Sequence, residues 1–564
     1  MKAKFILLLL CLSSTAFAQD FQWVQPVGGN SNENVKDIEL IGGHVYASGQ
    51  FFGTVDFDPG AGNDPGVAPS SGSAYIAQFD TTGAYQWKIS FDHAGMGQAF
   101  IEDMEADVNG NLVVLGSHIG DIDLDPGAAT VTPTVTASSF VATYSPSGAY
   151  ISHFEYSSFF QFNHISIDAQ NSLYVCGTFS SPMDADPFSG TDMATPINGQ
   201  NTALVSKILL SSDTYLWTRI FGGGLCSGED IALGANGNLT FAGLYEDSID
   251  LDPSASTQIE MSQGDADVFL VGLNAAGQLV GSNVIGSNFF DGTFDLDKDS
   301  QGNFIVSIVH YEPIEMNGSG TSTVVQPLFP ASFNSDIVIG KYDANLDLVW
   351  AKQFGSQEED NLPAIDVDFD QIAITGEVGG YASLSDFNSG TYFDVSNYPS
   401  NAAMYLMLID ANGDLLRSYL MEDYPINSND ILVANPNQIY IVGGFSDTCD
   451  FDPGLASTQL VANNGDEGYV LKLHFQSPPN AIALQSDLNW GLYPNPSNGT
   501  LNVYWEGYEN ANLNVFNTMG QKVYSELVSG QNTTRLALDA LPRGQYIVRI
   551  EMDGQMNSKR FILY

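Results

Sequence analysis

The sequence predicts an all-β fold, and three observations carry that prediction. Through residues 21–475 of the 564-residue chain, short runs rich in Val, Ile, Tyr and Phe alternate with polar residues, and no convincing long helix appears beyond the N-terminus. An acidic turn recurs as "VDFDPGAG" at 55–62, "IDLDPGAA" at 122–129, "MDADPFSG" at 183–190, "IDLDPSAS" at 249–256 and "CDFDPGLA" at 449–456. An opening segment also recurs, as in "FQWVQPVGG" at 21, "YQWKISFDH" at 85, "YLWTRIFGG" at 215 and "LVWAKQFGS" at 348. Trp23 and Trp87 are 64 residues apart, and Trp217 and Trp350 are 133 apart across two units, so the period is about 65 and seven copies fill 21–475. Four strands repeated seven times are the mark of a seven-bladed β-propeller. A linear solenoid is the alternative, but its end repeats should carry distinctive polar caps, and here both ends look like ordinary repeat material.

Residues 1–18 come first. Lys2 and Lys4 precede an apolar run from Phe5 to Leu12, and Ala16-Phe17-Ala18 follows, the pattern of a cleaved secretory signal. A lipid anchor on Cys11 would want a small residue where Leu10 stands. No later apolar stretch approaches the ~20 residues needed to span a bilayer.

The propeller is expected over 19–476. Its first unit supplies four extended pieces, "QWVQPV", "VKDIELIGG", "HVYASGQF" and "AYIAQFDTTG". Turns such as "DVNGN" at 107, "GANGN" at 234 and "DANGD" at 410 place Asn-Gly where a tight reversal needs positive φ. If "DIEL" is innermost, the opening "FQWVQPV" has no blade of its own to finish. It is expected to complete the seventh blade beside "YVLKLHF" at 469–475, a clasp that removes exposed edges. The units resemble the bacterial β-propeller repeat family in their aspartate, Gly-Asn turn, "VYVxG" strand and aromatic opener. The resemblance is clear in units one, two, four and seven and weak in five.

The acidic turn is expected between the second and third strands of a blade. Pro59 presets φ and Gly60 supplies positive φ for a tight reversal. Asp56 and Asp58 lie two apart in extended chain and face one side, with Phe57 on the other, free to pack between blades. Asp123 and Asp125, Asp184 and Asp186, Asp250 and Asp252, and Asp450 and Asp452 repeat the arrangement. Two roles compete: capping of backbone amides within the turn, or a Ca²⁺ site, since paired carboxylates with turn carbonyls suit a hard cation. The strand order puts "NSNEN" at 30–34, "IED" at 101–103, "GED" at 228–230 and "EED" at 358–360 in loops on the same face. "SDFNSG" at 385–390 and "YEPIEMNG" at 311–318 depart from the turn, so their blades are the weakest calcium candidates. "DLDKDSQGN" at 295–303 lacks the Gly and Glu of a helical calcium loop and is read as a decorated hairpin.

Charge is uneven. Residues 19–488 carry 60 acids against 9 bases, or −51, whereas 489–564 hold six of each. Such a body repels nucleic-acid phosphates and anionic membranes and suits solubility or metal cations. Apolar residues at 44% still provide a large core. Beyond the signal there are three cysteines, Cys176, Cys226 and Cys449, an odd number that argues against a full disulfide framework.

"SPPNAIALQSDL" at 477–488 breaks the repeat as a linker should. Beyond it, 489–564 offers short alternating strands with Gly, Asn and Pro turns, enough for a small β-sandwich. This tail carries Tyr493-Pro494-Asn495-Pro496, Gly499, "VFNTMGQKV" with Gly520, "LPRGQYIVRI" with Gly544 and Tyr546, and Lys559 just before the final strand. In these residues it resembles the type A C-terminal sorting domain of the Bacteroidetes type IX secretion system. The resemblance implies Sec export, recognition of the tail by the outer-membrane translocon, and release from or attachment to the cell surface. A plain adhesive sandwich is the alternative.

The seven histidines show no metal-ligand spacing, and no H-E-x-x-H, G-x-S-x-G or P-loop pattern appears. Carboxylates are numerous enough to include a glycosidase-like pair, and none is singled out. The expected cargo is therefore a secreted or cell-surface binding or structural scaffold with a glycan or surface-protein ligand. The alternative is an extracellular polysaccharide-active hydrolase or lyase.

Overall fold

The computed structural model describes residues 21–475 apart from 30, 61, 70, 92–96, 128, 157–159, 235–236, 318–322, 329–333, 356–358, 379–382, 386–391, 395–402, 422–425, 454–456 and 463–464. It also describes 490–563 apart from 495–496, 498, 506–509, 518–521, 539 and 553–554. The expected signal at 1–18 and linker at 477–488 lie outside the described residues. The chain divides into two compact units, 1–475 and 476–564.

The first unit is all-β. Its described elements are strands and two single-turn 3-10 segments. The strands assemble into seven four-stranded antiparallel arrays. In the first array Asn34–Ile41 pairs with His44–Phe51, which pairs with Ser73–Asp80, which pairs with Tyr85–Ser90. The same order repeats with innermost strands Gln98–Ala106, Gln161–Ile167, Cys226–Leu233, Asp291–Lys298, Asp360–Asp368 and Ile426–Asn435. The third and fourth arrays are joined by a short pairing of Gly222 and Gly223 with Asp250 and Ile249. Each innermost strand packs against the innermost strands of the arrays before and after it, and the seventh packs against the first.

The seventh array takes its outer strand from the other end of the unit. Phe21–Val27 runs antiparallel to Glu467–His474, with Val24 opposite Leu471 and Val27 opposite Gly468. The clasp expected from the unused opening segment is present, and it pairs an edge that would otherwise be open.

The recurrent tryptophan has a physical reason. Trp23 donates its indole N–H to Thr81 O, Trp217 to Ala275 O and Trp350 to Ala411 O, each at 3.2 Å and each to the outer hairpin of the next array. Gly83 sits under the Trp23 ring with φ +84°, where a side chain would strike the indole. Buried clusters run from one array into the next: Phe51, Phe57 and Tyr75 of the first pack with Tyr440, Val442 and Val470 of the seventh. Phe57 thus fills the inter-sheet position expected of it, in a T-shaped contact with Phe51.

The Asn-Gly turns have the expected backbone, with Gly110 at φ +77°, Gly237 at +74° and Gly413 at +78°. The 295–303 string is the expected hairpin: Asp299 caps the amides of Gln301 and Asn303 at 2.9 Å each. One placement needs correction. "IED" at 101–103 and "GED" at 228–230 are not loops but lie within the innermost strands Gln98–Ala106 and Cys226–Leu233. A bulge there, between Ile101 and Asp103 and between Gly228 and Asp230, breaks the alternation that would have marked them as strand.

The second unit has a three-stranded sheet, Trp490–Tyr493, Thr500–Trp505 and Thr533–Ala537. Its four-stranded sheet orders Lys522–Ser529, Asn510–Asn517, Gly544–Met552 and Gln555–Leu563. Trp490, Val503 and Leu536 of the first share one core with Leu513, Val548 and Phe561 of the second.

Candidate functional site

The innermost strands position one residue of each array on a common ring. In the first array the register skips between Val35 and Asp37, and the same one-residue bulge recurs before Asp103, His164, Asp230, Asp295, Ala364 and Asp430. A bulge bends its strand and re-aims the residue that follows. Here the re-aimed carboxylates bridge consecutive arrays. Asp230 accepts Ile231 N and Leu296 N, both at 2.6 Å. Asp430 accepts Ile431 N at 2.7 Å and Ile38 N at 3.0 Å, across the closing junction. Asp103 accepts Met104 N at 2.8 Å and Ile165 N at 2.7 Å, and Asp295 accepts Ile365 N at 2.8 Å. Two residues further along, Asp297 accepts Lys298 N and Val367 N, both at 2.7 Å, and Asp366 accepts Val433 N. The bulged residues tie the arrays in the opposite sense. Lys36, Asn163 and Asn429 donate to the carbonyls of Ile101, Gly228 and Val35 in the next array.

These side chains line a cavity of about 540 Å³ with eleven carboxylates, Lys36, Lys298 and His164. His164 replaces aspartate at the third position. Its Nε2 lies 3.4 Å from Asp103 Oδ2 and its Nδ1 3.0 Å from Asp230 Oδ1. Burial alone would lower the imidazole, but Asp103 and Asp230 outweigh it and hold it well above its ordinary value. Asp230 is correspondingly lowered: burial pushes it up, and His164 more than offsets that. The remaining ring acids go the other way. Burial, reinforced by Asp103, raises both Asp37 and Glu105 to about 7. Burial also holds Asp295, Asp366 and Asp430 well above the carboxylate range. The arrangement presents a sink for positive charge and for hydrogen-bond donors, with one cationic side chain held between two carboxylates.

The acids of the recurrent turns do not join this ring. Each pair lies between the second and third strands of its array, and the first acid spans the turn. Asp56 Oδ1 accepts Asp58 N at 3.2 Å and Asp64 N at 2.9 Å, while Asp58 Oδ1 accepts Gly60 N at 2.8 Å. Asp123, Asp184, Asp250 and Asp450 repeat the long reach, accepting Val131, Asp192, Gln258 and Thr458 amides at 2.8–2.9 Å. Asp125, Asp186 and Asp252 accept the amide two residues on, and Asp452 is buried. Amide capping therefore occupies Oδ1 of each of these turn acids other than Asp452. Among the described residues no group of three or more His, Cys, Asp or Glu side chains is arranged to hold a metal ion.

Of the tail residues, Tyr493 ends the first strand of its unit and Gly544 and Tyr546 open the strand Gly544–Met552, where Tyr546 Oη donates to Pro542 O at 2.6 Å. Gly499, at φ +108°, precedes Thr500–Trp505. Lys559 lies within the final strand rather than before it, and its ammonium donates to Trp490 O at 2.8 Å. Pro494 follows Tyr493, and Asn495, Pro496 and Gly520 lie outside the described residues.

The ring was missed in the sequence. A signal was there: "KDIE", "EDME", "EDIA", "FDLD" and "NDIL" put an aspartate at one place in five of the seven units. Reading Asp103 and Asp230 as strand residues required knowing the bulge.

Comparison with known proteins bears on the tail most directly. Residues 491–564 match the family model described as a secretion system C-terminal sorting domain. The chain carries the tail of proteins exported through the type IX system to the cell surface or beyond it. No helix among the described residues is long and apolar enough to cross a membrane. No curated protein sequence matches the chain. Among solved structures, it is similar to a PL25 ulvan lyase at 11% identity and a TM-score of 0.38, over 78% of this chain and 97% of that one. It is also similar to the endosialidase of phage phi92, at 8% identity and 0.35 over 96% and 87%. A protein of unknown function from Dyadobacter fermentans gives 8% and 0.36 over 81% and 99%. At these TM-scores the similarity carries no argument about activity.

Proposed function

We propose that the first unit is a seven-bladed β-propeller that leaves the cell through Sec and the type IX translocon and acts outside as a binding scaffold. Its 476–564 partner is read as a small sandwich that the translocon recognises. The scaffold reading rests on one observation above all: the bridging ring carboxylates spend their oxygens on backbone amides of two consecutive arrays. Groups fixed in this way hold the ring together, and they offer a ligand a rigid acidic mouth. The ligand class that suits such a mouth is a hydroxyl-rich glycan or a cationic segment of a surface protein, both of which donate hydrogen bonds to carboxylates.

The second reading is a polysaccharide-active hydrolase or lyase, and His164 between Asp103 and Asp230 is the observation that favours it. An imidazolium flanked by carboxylates can act as a general acid. The two readings part in one experiment. The mature chain is applied to a glycan array, and the bound sugars are then incubated with it and analysed for chain cleavage, with and without chelator. The scaffold predicts retention without products. Products that disappear with His164→Asn would establish the enzyme instead.

A further inference from the structure

We propose that three of the seven junctions between arrays each hold a calcium ion between two buried carboxylates: Glu33 with Glu467, Asp267 with Asp291, and Asp336 with Asp360. These sites are separate from the axial ring and from the recurrent acidic turns, and they do not depend on what the mouth binds.

The six residues occupy two equivalent positions. Glu467 and Asp336 open the third strand of their arrays, opposite Phe445 and His310, and Asp267 holds the equivalent register position within the third strand Ile259–Leu273, opposite Tyr245. Glu33, Asp291 and Asp360 stand where the innermost strand of the following array begins. At the other four junctions the same two positions pair Ser73 with Ala99, Ser138 with Phe160, Thr202 with Cys226, and Ala403 with Ile426. An acid therefore occurs at both positions or at neither. Independent solubilising charges would not be matched in this way, whereas two ligands of one ion would be.

The local chain is the same at each site. A glycine, then Gly or Ser, then Asn or Gln leads to the acid five residues after the glycine: "GGNSNE" at 28–33, "GSNFFD" at 286–291 and "GSQEED" at 355–360. At the first two sites the residue after the glycine anchors one carboxylate oxygen, Gly29 N to Glu33 Oε2 at 3.0 Å and Ser287 N to Asp291 Oδ2 at 2.5 Å. The partner acids are anchored likewise, Asp267 Oδ2 by Gln263 N at 2.8 Å and Asp336 Oδ2 by Leu328 N at 2.6 Å. The other oxygens are the unexplained ones. Glu33, Asp267 and Asp291 are 1%, 1% and 0% exposed, yet Glu33 Oε1, Asp267 Oδ1 and Asp291 Oδ1 have no hydrogen-bond partner. A buried carboxylate oxygen without a partner is strongly unfavourable.

The glycine leaves the room. A Cβ on Gly286 would lie 2.2 Å from Asp267 Cγ, and one on Gly28 would lie 2.5 Å from Glu467 Cγ. On Gly355 it would fall between the two acids, 2.2 Å from Asp336 Oδ1 and 2.9 Å from Asp360 Oδ2. At this third site the distances place Asp336 Oδ1 and Asp360 Oδ2 within the span of about 5 Å that one Ca²⁺ bridges with bonds of about 2.3–2.6 Å.

Charge and donor type select the ion. No lysine, arginine or histidine forms an ion pair with Glu33, Asp267 or Asp291 among the described residues. Burial raises Asp291 to about 8, helped by Asp267 and Glu312, and burial raises Asp267 and Asp336 to about 6. Two carboxylates neutralise a divalent charge, and an all-oxygen set completed by backbone carbonyls and water suits Ca²⁺ rather than zinc.

The test uses the mature chain stripped with EGTA and titrated with CaCl₂ by calorimetry, with thermal melts in parallel. Three sites per chain and a calcium-dependent rise in Tm are expected. Asp267→Asn with Asp291→Asn should lower the count to two, and Glu33→Gln with Glu467→Gln should do the same on its own. Each variant should melt no lower than the wild-type chain in EGTA, because it removes buried repulsion and so remains folded. An EGTA-insensitive melt with no binding heat would overturn the proposal. So would three sites surviving in both double variants, or sites lost only on Asp56→Asn with Asp58→Asn in the acidic turn.

Discussion

At the scale of single residues, one amino-acid type serves three purposes. Turn aspartates such as Asp56 are exposed and cap amides, and this role was legible because Asp-x-Asp-Pro-Gly is local chemistry. Ring aspartates such as Asp230 bridge strands that are 66 residues apart, and junction acids such as Asp291 meet partners through packing alone, so neither use is written in a local motif. The ring makes a distinctive pH prediction. Asp37 and Glu105, raised to about 7, hold protons in the folded chain that the unfolded chain releases near the ordinary value of about 4. Their contribution is present below pH 4 and lost as pH rises through 7. Asp107, Asp168 and Asp299 are lowered, since hydrogen bonds within their turns outweigh burial, with Lys207 adding to this at Asp168 and Lys341 at Asp299. Their contribution is lost as pH falls below 4. Melts in EGTA should therefore peak at about pH 5 and decline toward pH 8; a Tm still rising from pH 5 to 8 would refute the protonated ring.

At the scale of elements, the strands were legible from alternation and the hairpins from Asn-Gly. The expected clasp followed from counting: seven inner strands left one outer strand unfilled. What alternation could not give was the bulge, which turns a residue without changing composition. The opening strand Phe21–Val27 carries the test at this scale. Removing it leaves Glu467–His474 with a bare edge and uncovers Tyr440 beneath Trp23, whose rings lie 5.8 Å apart. With several ladder bonds lost at about 1 kcal/mol each, deletion of 21–27 should lower Tm by on the order of 10 °C and promote association through the open edge. An unchanged melt would show that the strand is dispensable.

At the scale of the whole molecule, the division of labour is between a strongly acidic body and a charge-neutral tail. The tail was legible because its residues form a dense motif near 490–564, and it supplies the destination of the chain. The body's ligand was not legible, since a repeat spends most of its pattern on joining copies and little on any one surface. What makes the body a single object is closure of the seven arrays on themselves, and an acidic mouth exists only if that closure holds. Cysteines at Val24 and Leu471, which face one another across the clasp, measure it directly. In the mature Val24→Cys, Leu471→Cys chain, oxidation should give an intramolecular 24–471 disulfide in monomeric protein, read by mass spectrometry of the digest. Disulfides only between chains, or none at these positions, would contradict the closed ring.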